Sequence, residues 1–156
     1  MTGEDLVLAI SRIEAKAKPR EKCNMPAVTI PVDILTGFMR TMHDDPLLSF
    51  DMLCTHTAVD WLSESRSEFE LLYVLYSTKH RHYLTVSTSV PRDKPEVSSV
   101  SSIWRIAEWQ EREAYDLMGI LYSGHPDLRR MFLEDDWNGF PLRKDYKDDF
   151  MLKLPE

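Results

Sequence analysis

Hydrophobic residues return at helical spacing in two stretches of the N-terminal part of the chain. The first predicts a helix over residues 3–17, and Thr2, three residues before Asp5, is suited to cap it. Its apolar face consists of Leu6, Ile10, Ile13 and Ala17. The second stretch begins at Leu35 and stops before Pro46, because the residue before a proline is pushed out of the helical conformation. Its apolar face consists of Leu35, Phe38, Met39 and Met42.

Alternating and continuous apolar runs predict four strands. Residues 28–32 alternate between apolar and smaller or polar side chains, and the prolines around them favour an edge position. Residues 48–61 alternate more weakly. Residues 69–77 are apolar on both parities and rich in aromatic side chains, which favours a central strand covered on both faces. Residues 84–90 follow as its antiparallel partner, joined to it by a hairpin at the polar segment 77–82.

The C-terminal half combines one long predicted helix with irregular chain. Residues 100–118 carry a helical stripe, and the serines before them are candidate N-caps. Residues 127–132 predict a short helix, which an Asn-Gly turn follows. We therefore predict an α+β fold in which helices cover a small mixed or antiparallel sheet. The α+β domain is expected over residues 1–122, and an irregular, extended C-terminal segment over residues 123–156.

Composition and charge argue against several classes of function. The 156 residues have a formal net charge of −7, so nucleic acid and anionic lipid are not expected as general partners. The 2 cysteines are too few for an iron–sulfur cluster held by thiolates, and the 5 glycines form neither common phosphate-binding loop. No apolar run is long enough to cross a bilayer, and no secretion signal or Arg-rich transit segment is evident. We therefore expect a protein that stays in the compartment where it is made.

The densest cluster of charge lies in the long predicted helix. Glu108, Glu111 and Tyr115 share one face at helical spacing, and Arg112 is placed to pair with Glu108 or Asp116. Three interpretations fit these residues. They form a solvated face with internal ion pairs, a protein-binding face anchored by the neighbouring aromatic rings, or a pair of glutamates that act as general acid and base.

Four side chains upstream have the spacing of metal ligands. Cys54 and His56 are two residues apart, as are His80 and His82, so each pair shares a face if it lies on a strand. A small zinc-dependent enzyme is therefore an alternative, against exposed or neutral histidines that bind no metal. No GxSxG motif supports a nucleophilic triad.

The C-terminal segment is the other unusual stretch. Residues 125–147 hold five Lys or Arg and five Asp or Glu, a balance that fits specific ion pairs better than a nucleic-acid surface. Trp137, Phe140 and Tyr146 lie in this irregular stretch and need an apolar surface to pack on. We expect that surface on the chain's own domain or on a neighbouring protein of a complex.

Three motifs together resemble the 30-kilodalton subunit of NADH:quinone oxidoreductase, respiratory complex I, which is also called its C subunit. The motifs are EWQEREAYDLMGI at residues 108–120, GHPDLRR at residues 124–130 and PLRKDY at residues 141–146. Residues 50–61 and 69–76 are similar in kind but match more loosely. The resemblance covers nearly the whole chain, with its weight in the C-terminal half.

The resemblance implies a structural role within a redox machine. Members of that family are peripheral-arm subunits that bind no flavin, cluster or quinone themselves, while other subunits use FMN, iron–sulfur clusters, NADH and quinone. They pack against a hydrogenase-like large subunit of the 49-kilodalton type and neighbouring iron–sulfur subunits. We therefore expect a noncatalytic subunit that braces the quinone-reducing module of a proton-translocating complex. It would lie on the cytoplasmic side of the cell membrane, attached only through partners.

Related complexes carry equivalent subunits, and the resemblance extends to membrane-bound hydrogenases, formate hydrogenlyase and F420H2 or ferredoxin-linked dehydrogenases. An adaptor outside any redox complex is a further alternative. No catalytic, cofactor-binding or metal-binding residue is predicted. We expect the subunit interface to be formed or supported by the charged and aromatic residues of the matched motifs. These are Glu108, Glu111, Arg112, Tyr115, Asp116, His125, Asp127, Arg129, Arg130, Arg143, Lys144 and Tyr146.

Overall fold

The computed structural model describes residues 2–21 and 23–148, which form helices and strands in the mixed order expected. The helices are α1 (Gly3–Ile13), α2 (Leu35–Asp44) and α3 (Ala107–Met118), with a short 3-10 turn at Val32–Ile34 before α2. The strands are β1 (Lys18–Pro19), β2 (Ala27–Thr29), β3 (Met52–Leu62), β4 (Ser67–Ser77), β5 (His82–Pro91), β6 (Glu96–Ser98) and β7 (Leu121–Ser123). Within those ranges no helix has the length and apolar character needed to cross a bilayer.

Five strands form one sheet in the order β1-β2-β5-β4-β3. Neighbouring strands run antiparallel except β2 and β5, which are parallel. A separate parallel pair is formed by β6 and β7. Buried side chains of all three helices join those of the sheet in one hydrophobic core. The predicted α+β fold with a small mixed sheet is confirmed.

The sheet is built around β4, which pairs with β3 on one side and with β5 on the other. The side chains of its inner face are fully buried: Phe69, Leu71, Tyr73 and Leu75. Those of its opposite face are half-buried: Leu72, Val74 and Tyr76. The predicted central position and the hairpin to β5 are therefore confirmed. The prediction that both faces are covered is wrong for the second face.

Two other strand predictions need correction. β2 is not an edge strand, because β1 pairs with its outer side and the flanking prolines fall outside its three residues. β3 begins at Met52, since the preceding residues form turns in which Ser49 adopts a φ of +50°. Leu48 and Phe50 are nevertheless buried in the core from this loop. β1, β6 and β7 have only two or three residues each, too few to leave a periodic pattern.

The first two helices follow their apolar stripes. α1 begins with the predicted capping box, in which the Thr2 hydroxyl accepts the Asp5 N–H at 3.2 Å and the Asp5 carboxylate accepts the Thr2 N–H at 3.1 Å. It ends at Ile13, four residues earlier than predicted, because Glu14 is extended and the chain turns into β1. α2 ends where its proline stop was predicted.

α3 begins seven residues later than predicted. Residues 100–106 form tight turns instead, held by the Val100 carbonyl, which accepts two backbone hydrogen bonds. Ser99, a predicted N-cap, donates its hydroxyl to Glu111 at 2.6 Å, so α3 starts without a side-chain cap. The helix ends at Gly119, whose φ of +73° is the left-handed conformation that glycine adopts most easily.

Gly119 generates a prediction about stability. A Cβ at Gly119 would lie 2.5 Å from the Phe140 ring, so Gly119→Ala should destabilise the chain by about 1–3 kcal/mol. At the exposed Gly37 in α2 a Cβ meets nothing within 4 Å. Gly37→Ala should therefore stabilise the chain by about 0.5–1 kcal/mol. Urea unfolding of both variants measures the difference, and effects of the same sign would contradict the argument.

Candidate functional site

α3 turns three charged side chains toward the interior of the protein. Glu111 and Asp116 are 0% exposed and Arg112 is 7% exposed. Charged groups are rarely buried unless hydrogen bonds or opposite charges satisfy them. Their partners come from the loop before α3 and from the C-terminal segment, here residues 123–148. The interpretation of this helix as a solvated charged face is therefore wrong for these three residues.

Asp116 anchors the first part of the C-terminal segment. Its Oδ2 accepts the backbone N–H groups of Met131, Phe132 and Leu133 at 2.9, 2.6 and 3.1 Å. Its Oδ1 accepts Nη1 of Arg130 at 2.9 Å. Burial acts to raise the pKa of Asp116, but these donors outweigh it and hold the pKa below its ordinary value. Asp116 is thus a fully satisfied, ionised anchor.

The same anchor explains why residues 127–132 do not form the predicted short helix. Arg112 donates from Nε and Nη2 to the carbonyls of Arg129 and Arg130, each at 3.2 Å. The next three backbone amides are bound by Asp116. Side chains of α3 therefore use the backbone groups that a helix would need for its own hydrogen bonds.

Two arginines hold the later part of the segment. Arg130 donates from Nη2 to the carbonyls of Trp137 and Gly139 at 3.1 and 3.3 Å. Arg143 donates from Nε to the carbonyl of Met118 at 2.7 Å, at the end of α3 where helix carbonyls lack intrahelical partners. Arg130 and Arg143, which the sequence assigns to the subunit interface, thus make contacts within the chain.

A second ion cluster joins the segment to the sheet. Arg92, after β5, contacts Asp60 through Nε at 2.8 Å and Asp145 through Nη2 at 2.6 Å. Asp60 also accepts the backbone N–H of Lys144 at 2.9 Å. Sequence reasoning identified Lys144 but missed the other three residues. The signal was Asp60 itself, a charged residue between two apolar ones in a strand that was otherwise assigned to packing.

Glu111 lies where the loop before α3 meets the C-terminal segment. Its two oxygens accept the Ser99 O–H at 2.6 Å and the Val100 N–H at 2.8 Å. His125 Nε2 is 4.0 Å from the nearer oxygen, and both side chains are fully buried. Burial raises the pKa of Glu111 to about 7, against the lowering effect of the two donors and with a smaller raising effect from Glu108.

His56, on β3, is buried in its neutral form. Its Nδ1–H donates to the Leu72 carbonyl at 3.0 Å, and its Nε2 accepts the Tyr122 O–H at 2.6 Å. The imidazole stacks on Tyr73 with ring centroids 4.1 Å apart. Burial lowers the pKa of His56 to about 4, against the opposing effect of the Leu72 hydrogen bond. Both ring nitrogens are therefore occupied by protein partners.

The four residues considered as zinc ligands do not come together. Cys54 is exposed and His56 is buried, while His80 and His82 stack on each other with ring centroids 5.6 Å apart. Across the part of the chain that the structure describes, no three His, Cys, Asp or Glu side chains are placed to hold a metal ion. The zinc alternative gains no support from these positions.

The remaining predicted interface residues lie closer to the surface. Glu108, Tyr115 and Tyr146 are half-buried, and Asp127 and Arg129 form an exposed ion pair at 2.9 Å. Eight of the twelve predicted residues make contacts at α3, some through their backbone groups. They are Glu108, Glu111, Arg112, Asp116, His125, Arg129, Arg130 and Arg143.

Large apolar side chains remain exposed beside the anchors. Trp109 on α3 is 56% exposed, and Phe132 and Leu142 in the C-terminal segment are 61% and 57% exposed. Because Asp116 fixes the backbone at Phe132, that ring projects from an anchored part of the chain. Exposed aromatic and aliphatic groups on anchored backbone are typical of a protein-binding face.

Comparison with known sequences identifies a family. The family described as "Respiratory-chain NADH dehydrogenase, 30 Kd subunit" matches residues 28–149. The C subunit of NADH-quinone oxidoreductase from Moorella thermoacetica is 35% identical over 144 residues, covering 92% of this chain and 95% of that relative. The C subunit from Geobacter metallireducens is 48% identical over 95 residues, covering 60% of this chain and 59% of that relative. The match thus spans less than two thirds of the Geobacter protein.

A third relative has a compound name. The C/D subunit of NADH-quinone oxidoreductase from Phocaeicola vulgatus is 50% identical over 99 residues, covering 63% of this chain and 18% of that relative. Most of that protein therefore lies outside the match.

Two solved structures have the same fold. A chain of the membrane-bound sulfane sulfur reductase, an archaeal respiratory membrane complex, gives a TM-score of 0.78 at 27% identity, covering 93% of this chain and 85% of that one. The trypsin-resistant fragment of Nqo5 gives a TM-score of 0.69 at 25% identity, covering 81% of this chain and 100% of that one.

The Asp116 anchor generates a prediction about stability. Asp116→Asn removes the charge and turns an N–H₂ group toward amide donors, so it should cost about 2–4 kcal/mol of unfolding free energy. Backbone amides 131–133 should also lose protection from hydrogen exchange. Glu113→Gln, on the exposed side of the same helix, is the matched control. Equal stability of the two variants in urea would show that Asp116 is not an anchor.

His56 generates a prediction about pH. Its pKa is about 4 in the folded chain and 6.5 in its ordinary state, so its contribution is complete above pH 6.5 and is lost as pH falls toward 4. The difference in unfolding free energy between the wild type and His56→Gln should therefore shrink by about 3 kcal/mol between neutral pH and pH 4. The exposed His80→Gln is the control. Parallel stability curves for wild type and His56→Gln would refute the assignment.

Proposed function

Because the chain belongs to the 30 kDa subunit family of respiratory-chain NADH dehydrogenase, we propose that it serves as a cofactor-free, noncatalytic subunit of a proton-translocating NADH:quinone oxidoreductase. Its role there is to brace the quinone-reducing module. Electron transfer between cofactors depends on fixed distances, so a protein that holds others in position supports turnover without reacting itself. FMN, iron–sulfur clusters, NADH and quinone are assigned to other subunits.

The anchoring of the C-terminal segment is the observation that carries this proposal. Asp116 and Arg112 use charged groups to fix irregular chain on α3. Arg143 and Asp60 fix its later part. An irregular surface held this firmly keeps its shape before a partner arrives, which lowers the entropy cost of binding. This use of charge supports a scaffold rather than the glutamate acid–base pair considered from the sequence.

We assign the partner as the hydrogenase-like large subunit, with iron–sulfur subunits nearby. The compound C/D name of the Phocaeicola relative supports a C-type chain that works beside a second protein. In this proposal Trp109, Phe132 and Leu142 make the apolar contacts, and Asp127 and Arg129 contribute at the rim. The buried members of the predicted interface set support that surface from beneath.

The proposed complex is membrane-attached, and we place this chain on its cytoplasmic side, held at the membrane through its partners. In this proposal the α+β domain expected over residues 1–122 and the segment expected over residues 123–156 act together as the scaffold. Residues 149–156 of the expected second part lie outside the described residues.

A second candidate is the equivalent subunit of a related respiratory membrane complex. The likeness to a chain of the sulfane sulfur reductase, with a TM-score of 0.78, favours it specifically. Purification of the chain with its partners from native membranes separates the two. NADH:quinone activity in the purified complex supports the first assignment, whereas reduction of sulfane sulfur or evolution of hydrogen without NADH oxidation supports the second.

The partner surface generates a prediction about assembly. Phe132→Ser removes an exposed ring while the backbone N–H of residue 132 keeps its bond to Asp116, so the isolated chain should unfold as the wild type does. Recovery of the large subunit with the tagged chain should fall at least about tenfold, because a buried aromatic anchor contributes about 2 kcal/mol or more to binding.

Leu47→Ser is the control, because Leu47 is 71% exposed in the turn after α2, away from the C-terminal segment. It should leave recovery of the large subunit unchanged. Equal recovery with Phe132→Ser and with wild type would remove Phe132 from the interface. Arg112→Glu and Arg143→Glu are poorer probes, because both arginines hold the segment and their reversal disturbs the fold as well.

A further inference from the structure

Glu111 differs from Asp116 because, among the described residues, no Lys or Arg pairs with it. Asp116 has the Arg130 guanidinium at 2.9 Å, whereas the donors that Glu111 has in that part of the chain are a hydroxyl and a backbone amide. The nearest basic group is the His125 imidazole, at 4.0 Å. A carboxylate that is fully buried without a counter-ion binds a proton more readily than one in water.

His125 is oriented by two backbone contacts. Its Nδ1 accepts the Asp127 N–H at 3.0 Å, and its Nε2 donates to the Glu108 carbonyl at 3.0 Å. Both ring nitrogens therefore have backbone partners, and the imidazole, 4.0 Å from the carboxyl group, lies beyond hydrogen-bond distance of Glu111.

Three other titratable groups around Glu111 are uncharged. Tyr73 of β4 and Tyr122 of β7 are buried, and burial, with the Glu111 charge as a further cause, holds the pKa of each phenol well above its ordinary value. His56 of β3, which accepts the Tyr122 hydroxyl, is neutral. Glu108 on the same helix adds negative charge. Burial and the negative charge of Glu108 therefore favour the protonated form of Glu111, against the Ser99 and Val100 donors, which favour the ionised form.

The turn that binds Glu111 also holds the start of the C-terminal segment. Ser99 donates its hydroxyl to Glu111 and its backbone N–H to the carbonyl of Ser123, at 2.9 Å. His125 follows two residues later and covers the carboxyl group. Movement of this stretch away from α3 would let water reach Glu111, which favours the ionised form.

We propose that Glu111 is a proton-controlled latch: a proton bound at its carboxyl group holds residues 123–127 closed over α3, and loss of that proton to solvent releases them. The proposal concerns the chain alone and goes beyond its proposed role in a complex. A chain that binds no partner would still have this latch, so failure of the assembly assignment leaves it standing.

Two NMR measurements on the full-length chain test the latch. Carboxyl ¹³C shifts give the titration midpoint of Glu111, which should fall near 7, in line with its raised pKa. Amide exchange, divided by the intrinsic rate at each pH, should show residues 123–127 opening about tenfold more often at pH 8 than at pH 6, given an open-state pKa of 4.5. Amides in β4 and β5 should not change.

Variants separate the latch from a general effect of pH. Glu111→Gln mimics the protonated group and should remove the tenfold change, while Glu113→Gln, exposed on the same helix, should keep it. Ser99→Ala removes a donor that lowers the pKa of Glu111, so the carboxyl midpoint and the opening should move to higher pH together.

Three results would overturn the proposal. The first is a Glu111 midpoint near that of an exposed glutamate. The second is a change in opening that persists in Glu111→Gln. If Glu111→Gln does not fold, the third decides: a Ser99→Ala chain whose midpoint moves while the opening of residues 123–127 does not follow.

Discussion

The need to satisfy Asp116 inside the protein determines the course of the chain after β7. A buried carboxylate requires donors, and three consecutive backbone amides with one guanidinium supply them. The amides of residues 131–133, bound to one carboxylate oxygen, are not free for the hydrogen bonds of a helix over residues 127–132. The segment therefore stays irregular, and Arg130 is placed where it also binds carbonyls further along. One residue of α3 thus fixes both the shape and the position of the segment.

Periodicity predicted the elements that are stabilised by apolar burial. The stripe of α2 and the inner face of β4 both correspond to buried side chains, because burial of a repeated face is what such patterns record. Periodicity failed where polar contacts decide the backbone. Residues 100–106 form turns instead of the predicted helix, because Ser99 and Val100 bind Glu111. Residues 127–132 form no helix, because side chains of α3 bind their backbone groups. Such pairs are distant in sequence and leave no local pattern.

The candidate site was found from the sequence by residue type but not by arrangement. The charged residues of α3 and of the C-terminal segment were selected together, yet nothing in their spacing indicated that they bind each other. Asp60 and Arg92 were missed because Asp60 is one charge in a strand assigned to packing and Arg92 is one of several charges in a loop, and only the fold brings them to Asp145. His56 was selected for the wrong reason, since its partners Tyr122 and Leu72 come from other strands.

Two buried groups make the core respond to pH in opposite directions. His56 resists protonation, so its contribution to stability falls as pH drops from 6.5 toward 4. Glu111 resists ionisation, so its contribution falls as pH rises from 4.5 toward 7. Between about pH 4.5 and 6.5 the two effects oppose each other, and above that range only Glu111 titrates. In that overlapping range global stability conceals the titration of Glu111, whereas near neutral pH the change is expected at the loop that covers it. A scaffold can in this way keep its sheet intact while the attachment of its C-terminal segment varies with proton concentration.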